Sequence, residues 1–136
     1  MLRQQILKKL AVSFVVLAIF NEIAVFIHWY SIIWWFDMPM HFLGGMAVFY
    51  LSAVLWLPAR KFVSDRRFLF EGIITALLIG VLWEALELYL FLTYGDPNFI
   101  LLDSISDLFF DLAGAFLGAY FLAQILNQKS ESNLSS

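Results

Sequence analysis

Four long apolar segments constrain this chain more than any other feature. A helix needs about 20 mostly apolar residues to cross the roughly 30 Å hydrocarbon core of a bilayer. Runs of that length occupy most of the 136 residues and predict helices over 6–30, 37–57, 68–91 and 103–126. We therefore predict an all-α integral membrane protein whose four-helix bundle forms one domain over residues 1–126.

Composition and chain-breaking residues agree with this division. Hydrophobic residues make up 62% of the chain and charged residues only 14%, which is far from the balance of a soluble domain. Pro39, Pro58 and the turn-forming residues 95–98 lie at or near the ends of the apolar segments. The remaining segment, 127–136, is polar and rich in serine, which predicts a disordered tail. The absence of cysteine excludes disulfides and thiol chemistry.

The basic residues predict the orientation of the helices. All of them fall on one side of the predicted bundle: Arg3, Lys8, Lys9, Arg60, Lys61, Arg66, Arg67 and Lys129. Cytoplasmic flanks of membrane helices carry an excess of Lys and Arg, so we expect both termini in the cytoplasm. The chain is thus predicted to be a multi-pass cell-membrane protein, typical of a bacterial or archaeal inner membrane.

The acidic residues follow the opposite pattern. Most of them lie toward the predicted outer side: Glu22, Asp37, Glu84, Glu87, Asp96, Asp103, Asp107 and Asp111. At about 1.5 Å of rise per residue, Glu84 and Asp111 reach the same layer of the outer half of the bilayer. Glu22 and His41 reach a similar depth. The sequence therefore predicts one shared site to which all four helices contribute.

Helical spacing predicts that these acids face the interior of the bundle. The small residues Gly72, Ala76 and Gly80 lead at four-residue steps to Glu84, and Asp111 leads to Gly114 and Gly118 at steps of three and four. An ionised acid at the bilayer centre costs roughly 2.5 to 3.5 kcal/mol. Because no Lys or Arg lies on that side, the acids must be protonated, hydrated or bound to a cation.

The set of predicted metal ligands follows from this argument. We expect a divalent metal ion, of unknown identity, at His41, Glu84, Glu87, Asp107 and Asp111, with Asp37 and Glu22 as further candidates. Simpler roles stay open for some of them. Asp37 and Asp103 are placed to cap helices, Ser104 and Asp107 have the spacing of a capping box, and Glu22 with Asn21 suits an interhelical polar contact.

Three segments carry a resemblance to known families. Residues 36–45 contain Asp37, His41 and Gly45 in a pattern that resembles the YjdF-like predicted membrane proteins and, more distantly, the VanZ-like family. The pair Glu84 and Glu87 after Trp83, and the spaced Asp and Gly residues over 103–118, are similar to further YjdF-like segments. The resemblance implies the site but no reaction. VanZ-like members are associated with glycopeptide-antibiotic resistance, and they usually carry Asn at the position of Asp111.

Several functions are compatible with such a site. The leading hypothesis is a metal site, with a metal-dependent membrane hydrolase acting on lipid or lipid-linked head groups of the outer leaflet as the enzymatic form. The alternatives are a proton- or cation-coupled transporter and a non-catalytic scaffold or resistance-associated protein. Membrane lipid is the expected partner, nucleic acid is not expected, and an oligomer remains open.

Overall fold

The architecture is a bundle of helices. The computed structural model describes residues 2–56, 66–94 and 101–134. Its helices are α1 (Leu2–Phe26), the short α2 (Trp29–Ile32), α3 (Asp37–Trp56), α4 (Arg66–Tyr94) and α5 (Leu101–Leu134). Within this part of the chain, α1, α3, α4 and α5 are long and apolar enough to cross a membrane. The prediction of an all-α protein with four membrane-spanning helices is confirmed.

The helix ends differ from the prediction in two places. The first predicted helix is divided, because α1 ends at Phe26 and His28 adopts a left-handed backbone conformation with φ 59° before α2 begins. Histidine tolerates this conformation better than most residues, and the apolar pattern gave no sign of it. Helix α5 continues to Leu134, into the segment predicted to be disordered. The division into a membrane domain and a polar tail stays a prediction, as does the cytoplasmic location of both termini.

Helix α3 is the central element of the bundle. It packs against α1, α4 and α5, and its contact with α5 is the most extensive. Two glycines allow this contact: a Cβ atom on Gly45 would overlap the backbone carbonyl of Asp111, and one on Gly114 would overlap the carbonyl of Phe42. Small residues let membrane helices approach closely. The predicted inward direction of the glycine stripe on α5 is therefore confirmed.

The main apolar core fills the half of the bundle that lies near the start of α1 and the end of α5. Phe49, Tyr50 and Leu122 are almost fully buried there, packed with Ile6 from α1. Lys9 lies over the ring of Phe121, 5.0 Å from its centre, which also joins these two segments. A smaller apolar cluster lies beside α2 at the other end, where the acids gather. The two ends of the bundle therefore differ in chemistry.

Candidate functional site

His41 lies at the centre of a cluster of three aspartates. Its Nδ1 atom is 3.4 Å from Oδ2 of Asp111, and its Nε2 atom is 3.8 Å from Oδ2 of Asp37 and 3.9 Å from Oδ2 of Asp107. His41, Asp107 and Asp111 are buried, whereas the Asp37 side chain is one-third exposed. The histidine thus faces a carboxylate oxygen from three different residues.

Two helices build this cluster in the same way. Asp37 and His41 are one turn apart on α3, and Asp107 and Asp111 are one turn apart on α5, so each pair lies on a single helix face. The close contact at Gly45 brings the two faces together beside Asp111. Backbone packing therefore sets the distance between the histidine and the acids.

Several buried carboxylate oxygens in this region have no hydrogen-bond partner among the described residues. They are Oδ1 of Asp107 and both oxygens of Glu84, a residue that α4 contributes. Ser104 is a polar neighbour of Glu84, but it makes no hydrogen bond of ordinary geometry with either oxygen. A buried polar group without a partner costs about 1 to 3 kcal/mol, and more if it is charged. Such groups indicate a bound proton, water or ion.

A cavity of about 1020 Å³ opens beside the cluster. The four cluster residues line it, together with Glu87 from α4 and Asp103 from α5. No Lys or Arg of the described chain lines this cavity. Gly80 faces the cluster from α4, where a Cβ atom would overlap the carboxylate of Asp111. The cavity is thus acidic on the side of the cluster, and no described Lys or Arg balances it.

The structure brings together most, but not all, of the predicted site residues. Asp37, His41, Asp107 and Asp111 form the cluster, and Glu84 is buried in the adjacent layer of α4. Glu87 lies at the cavity wall and accepts a hydrogen bond of 2.9 Å from Nε1 of Trp83.

Glu22 stands apart, because its side chain is exposed and does not line the cavity. Asn21 faces the cavity instead, since neighbouring residues of a helix point in different directions. Metal binding by any of these residues stays a prediction.

The capping roles considered for the acids receive mixed support. Asp37 is the first residue of α3 and Asp103 lies in the first turn of α5, where a negative charge interacts favourably with the helix dipole. Helix α5 begins at Leu101, however, so Ser104 already lies inside the helix and cannot be the first member of a capping box. Asp107 therefore has no capping role, and its proximity to His41 is its main polar relationship.

One contributor to the site was missed by the sequence analysis. Tyr30, which was not among the predicted site residues, lines the cavity and donates a hydrogen bond of 2.9 Å to Oδ1 of Asn21. Partial burial, and then the charge of Asp37, raise the pKa of the Tyr30 hydroxyl above its usual value, which keeps it a donor at neutral pH. Tyr30 reaches the cavity because the chain turns at His28, and no sequence pattern predicts that turn.

Comparison with known proteins places the chain in a family. No curated protein and no solved structure matches it. A family model described as "Predicted membrane protein (DUF2238)" matches residues 3–128, a range that includes the whole acidic cluster and all four membrane-spanning helices. The chain therefore belongs to the DUF2238 family of predicted membrane proteins.

Proposed function

We propose that this protein binds a divalent cation within the bundle, at Asp37, His41 and Asp107, with Asp111 orienting the imidazole from its Nδ1 side. The observation that carries the proposal is the arrangement of donor atoms around the imidazole. Three donor atoms lie within 4.8 Å of one another, one each from Asp37, His41 and Asp107. Two atoms bound to one ion at about 2.0 to 2.6 Å are separated by about 3 to 5 Å, so these atoms are spaced as ligands of one ion would be.

The charges of the region support the same proposal. Three aspartates meet at His41, and the unpartnered Oδ1 of Asp107 offers a further donor. Within the described part of the chain, no Lys or Arg lines the cavity to balance them. A divalent cation would offset two of these charges and satisfy the free oxygen. Carboxylate oxygens with one imidazole suit Mg²⁺, Mn²⁺, Fe²⁺ or Zn²⁺.

A catalytic use of the cation is the enzymatic form of this proposal. A cation held here would supply polarisation of an oxygen and activation of water. Glu87, at the cavity wall, would be free to accept a proton, because its only described hydrogen bond comes from Trp83. The substrates within reach are lipid or lipid-linked head groups of the outer leaflet. The segments Asp37–His41 and Glu84–Glu87 resemble YjdF-like proteins, and this resemblance supports the proposed site. It implies no particular reaction.

Proton binding without a metal is the second candidate, and specific contacts favour it. A protonated His41 would pair with the carboxylate of Asp111 at 3.4 Å, and a neutral carboxyl group would remove the charge of the unpartnered Glu84. Such groups would serve a proton-coupled transporter or only join the helices. In the other half of the bundle, Ser52 donates to the carbonyl of Phe49 and Thr75 donates to the carbonyl of Glu71. These local bonds do not form a polar path, so transport ranks below the cation site.

The test measures cation binding on matched variants. Purified protein in nanodiscs is titrated with Mn²⁺, and free Mn²⁺ is followed by electron paramagnetic resonance. We expect saturable binding that Asp107→Asn weakens at least about tenfold, a loss of about 1.4 kcal/mol. Glu22→Gln is the control, since it removes an acid outside the cavity and should leave binding unchanged. Absence of saturable binding of Mn²⁺ or Zn²⁺ in the parent, or an equal loss in Glu22→Gln, would reject the cation site.

A further inference from the structure

The acidic cavity is lined by side chains of both α1 and α4. Leu17 and Asn21 of α1 and Ile79 and Trp83 of α4 line it. In the described part of the chain, α1 packs against α2 and α3, and α4 packs against α3 and α5, but α1 and α4 have no extensive contact with each other. The two helices therefore stand on opposite sides of a gap. Because both are membrane-spanning segments, this gap faces the hydrocarbon of the bilayer.

The lining of the cavity combines apolar and acidic side chains. Leu17 and Ile79 offer apolar surface, and Ile79 is 45% exposed. The lining also includes the acids and three aromatic side chains, Tyr30, Trp34 and Trp83. Apolar and acidic surface on one cavity matches the two parts of a lipid-like molecule, whose chain stays in hydrocarbon while its head enters the protein.

The charge of the lining selects the head group. Asp37, Asp107 and Asp111 belong to the cluster, and Glu87 and Asp103 are two further acids on the same cavity. One divalent cation balances only two of these five carboxylates, so the cavity remains acidic even when the cation site is filled. An anionic head would increase this excess of negative charge. An ammonium head would reduce it and would also be attracted to the faces of Trp and Tyr rings.

We propose that the cavity binds a membrane amphiphile with an ammonium head group, which enters from the bilayer between α1 and α4. Its nitrogen lies among Glu87, Asp103 and the aromatic side chains, and its hydrocarbon chain lies in the gap beside Leu17 and Ile79. This site uses the two acids outside the His41 cluster. Binding of the amphiphile therefore does not require the cation. If a cation bound at the His41 cluster is catalytic, the amphiphile would be its class of substrate.

The unpartnered oxygen of Asp107 is independent evidence for a ligand in this cavity. Asp107 is only 2% exposed, lines the cavity, and leaves Oδ1 without a hydrogen-bond donor among the described residues. A bundle that closed tightly around its acids would supply such a donor from a neighbouring side chain. The Asp107 side chain forms part of the cavity wall while this buried oxygen has no donor, which is the arrangement expected beside a ligand site.

The experiment compares three photoreactive amphiphiles that differ only in the head group. Dodecylamine, dodecanol and dodecyl phosphate, each with a diazirine in the middle of the hydrocarbon chain, are added to the protein in phosphatidylglycerol nanodiscs. After illumination, mass spectrometry gives the ratio of labelling at Ile79 to labelling at Leu78. Leu78 is the neighbouring residue of α4, is 58% exposed and does not line the cavity, so the ratio corrects for partition into the bilayer.

We expect the amine to give a ratio at least about fivefold higher than the alcohol, and the phosphate to give no increase. Glu87→Gln combined with Asp103→Asn should lower the amine ratio to that of the alcohol, whereas Glu22→Gln should not. Equal ratios for the three probes would reduce the gap to ordinary lipid-facing surface and overturn the proposal. A higher ratio for the phosphate would overturn the ammonium head.

Measuring Mn²⁺ binding on the same samples separates this inference from the cation site. Preferential amine labelling without saturable Mn²⁺ binding would reject the cation site alone. Saturable Mn²⁺ binding without preferential amine labelling would reject the ammonium site alone.

Discussion

The two halves of α3 pack against the same neighbours in opposite ways. From Asp37 to Gly45 the helix faces α5 across a group of polar atoms 3.4 to 3.9 Å apart, beside a cavity of about 1020 Å³. From Phe49 to Val54 it buries apolar side chains, with Phe49 fully inaccessible. In a membrane, tight packing stabilises helix association, whereas a polar cavity weakens it. The apolar half therefore contributes most of the buried apolar packing, and the acidic half holds the cavity that is available for ligands.

The largest effect should come from altering the close backbone contact between α3 and α5 at Gly45. Gly45→Ala places a Cβ atom on the carbonyl of Asp111, so the helices must separate, and overpacking of this kind costs about 1 to 3 kcal/mol or more. Gly44→Ala is the matched control, because the nearest atoms to its Cβ are 4.0 Å away. Unfolding in mixed detergent micelles measures both. Equal stability of the two variants would contradict the close contact.

A smaller effect should come from adding cation to the acidic half. Divalent cation at about 100 times its dissociation constant should raise the free energy of unfolding by about 2.7 kcal/mol at pH 8. Metal ligands must be deprotonated, so this gain should fall as the pH is lowered toward 5. Thermal unfolding with Mn²⁺ and with chelator measures the difference. An equal gain in Asp111→Asn, or a gain that grows at low pH, would contradict cation binding by these residues.

The orientation of the two halves can be tested by labelling. Since the chain has no cysteine, Ser64→Cys and Asp96→Cys each introduce one reactive site. The basic residues predict that Asp96→Cys reacts from outside the cell at least about tenfold faster with a membrane-impermeant maleimide. Permeabilised cells provide the control. Similar rates in intact cells would contradict the predicted topology. The side of the membrane that the acidic half faces would then be undetermined.

The smallest effect is expected in the apolar half. Among the described residues, the Ser52 hydroxyl donates only to the carbonyl of Phe49 in its own helix, so Ser52→Ala should change stability by no more than about 0.5 kcal/mol. Proton flux into proteoliposomes should also be unchanged if this half carries no polar path. Asp107→Asn serves as the comparison from the acidic half. A clear change of flux in Ser52→Ala would favour the transporter.

The sequence predicts the helices well because the bilayer imposes one length and one polarity on each of them. It also predicts that Asp37 and His41 lie on one helix face, as do Asp107 and Asp111, because residues one turn apart on a helix share a face. The predicted depth of Glu22 in the bilayer did not determine whether its side chain points into the bundle or away from it. Depth follows from counting residues, but the rotation of α1 about its own axis depends on the helices that it contacts.

The path of the chain after α1 could not be predicted for a different reason. No Gly or Pro lies between Phe26 and Tyr30, so the sequence pattern favours a single helix. The break arises from one backbone conformation, at His28, and it turns Tyr30 back toward Asn21. The gap between α1 and α4 was equally hidden, because it depends on which helices fail to meet.

The crossing of α3 and α5 also determines which parts of the site can adjust to a ligand. Gly45 meets the carbonyl of Asp111 and Gly114 meets the carbonyl of Phe42, so two contacts one helical turn apart along each helix fix both distance and rotation. Backbone atoms in contact have no rotamers with which to accommodate a shift. His41 and Asp111 thus behave as a fixed frame. Any molecule larger than the cavity must be accommodated by movement of α1 or α4, and a spin label on Leu17 should detect that movement while one on Leu112 does not.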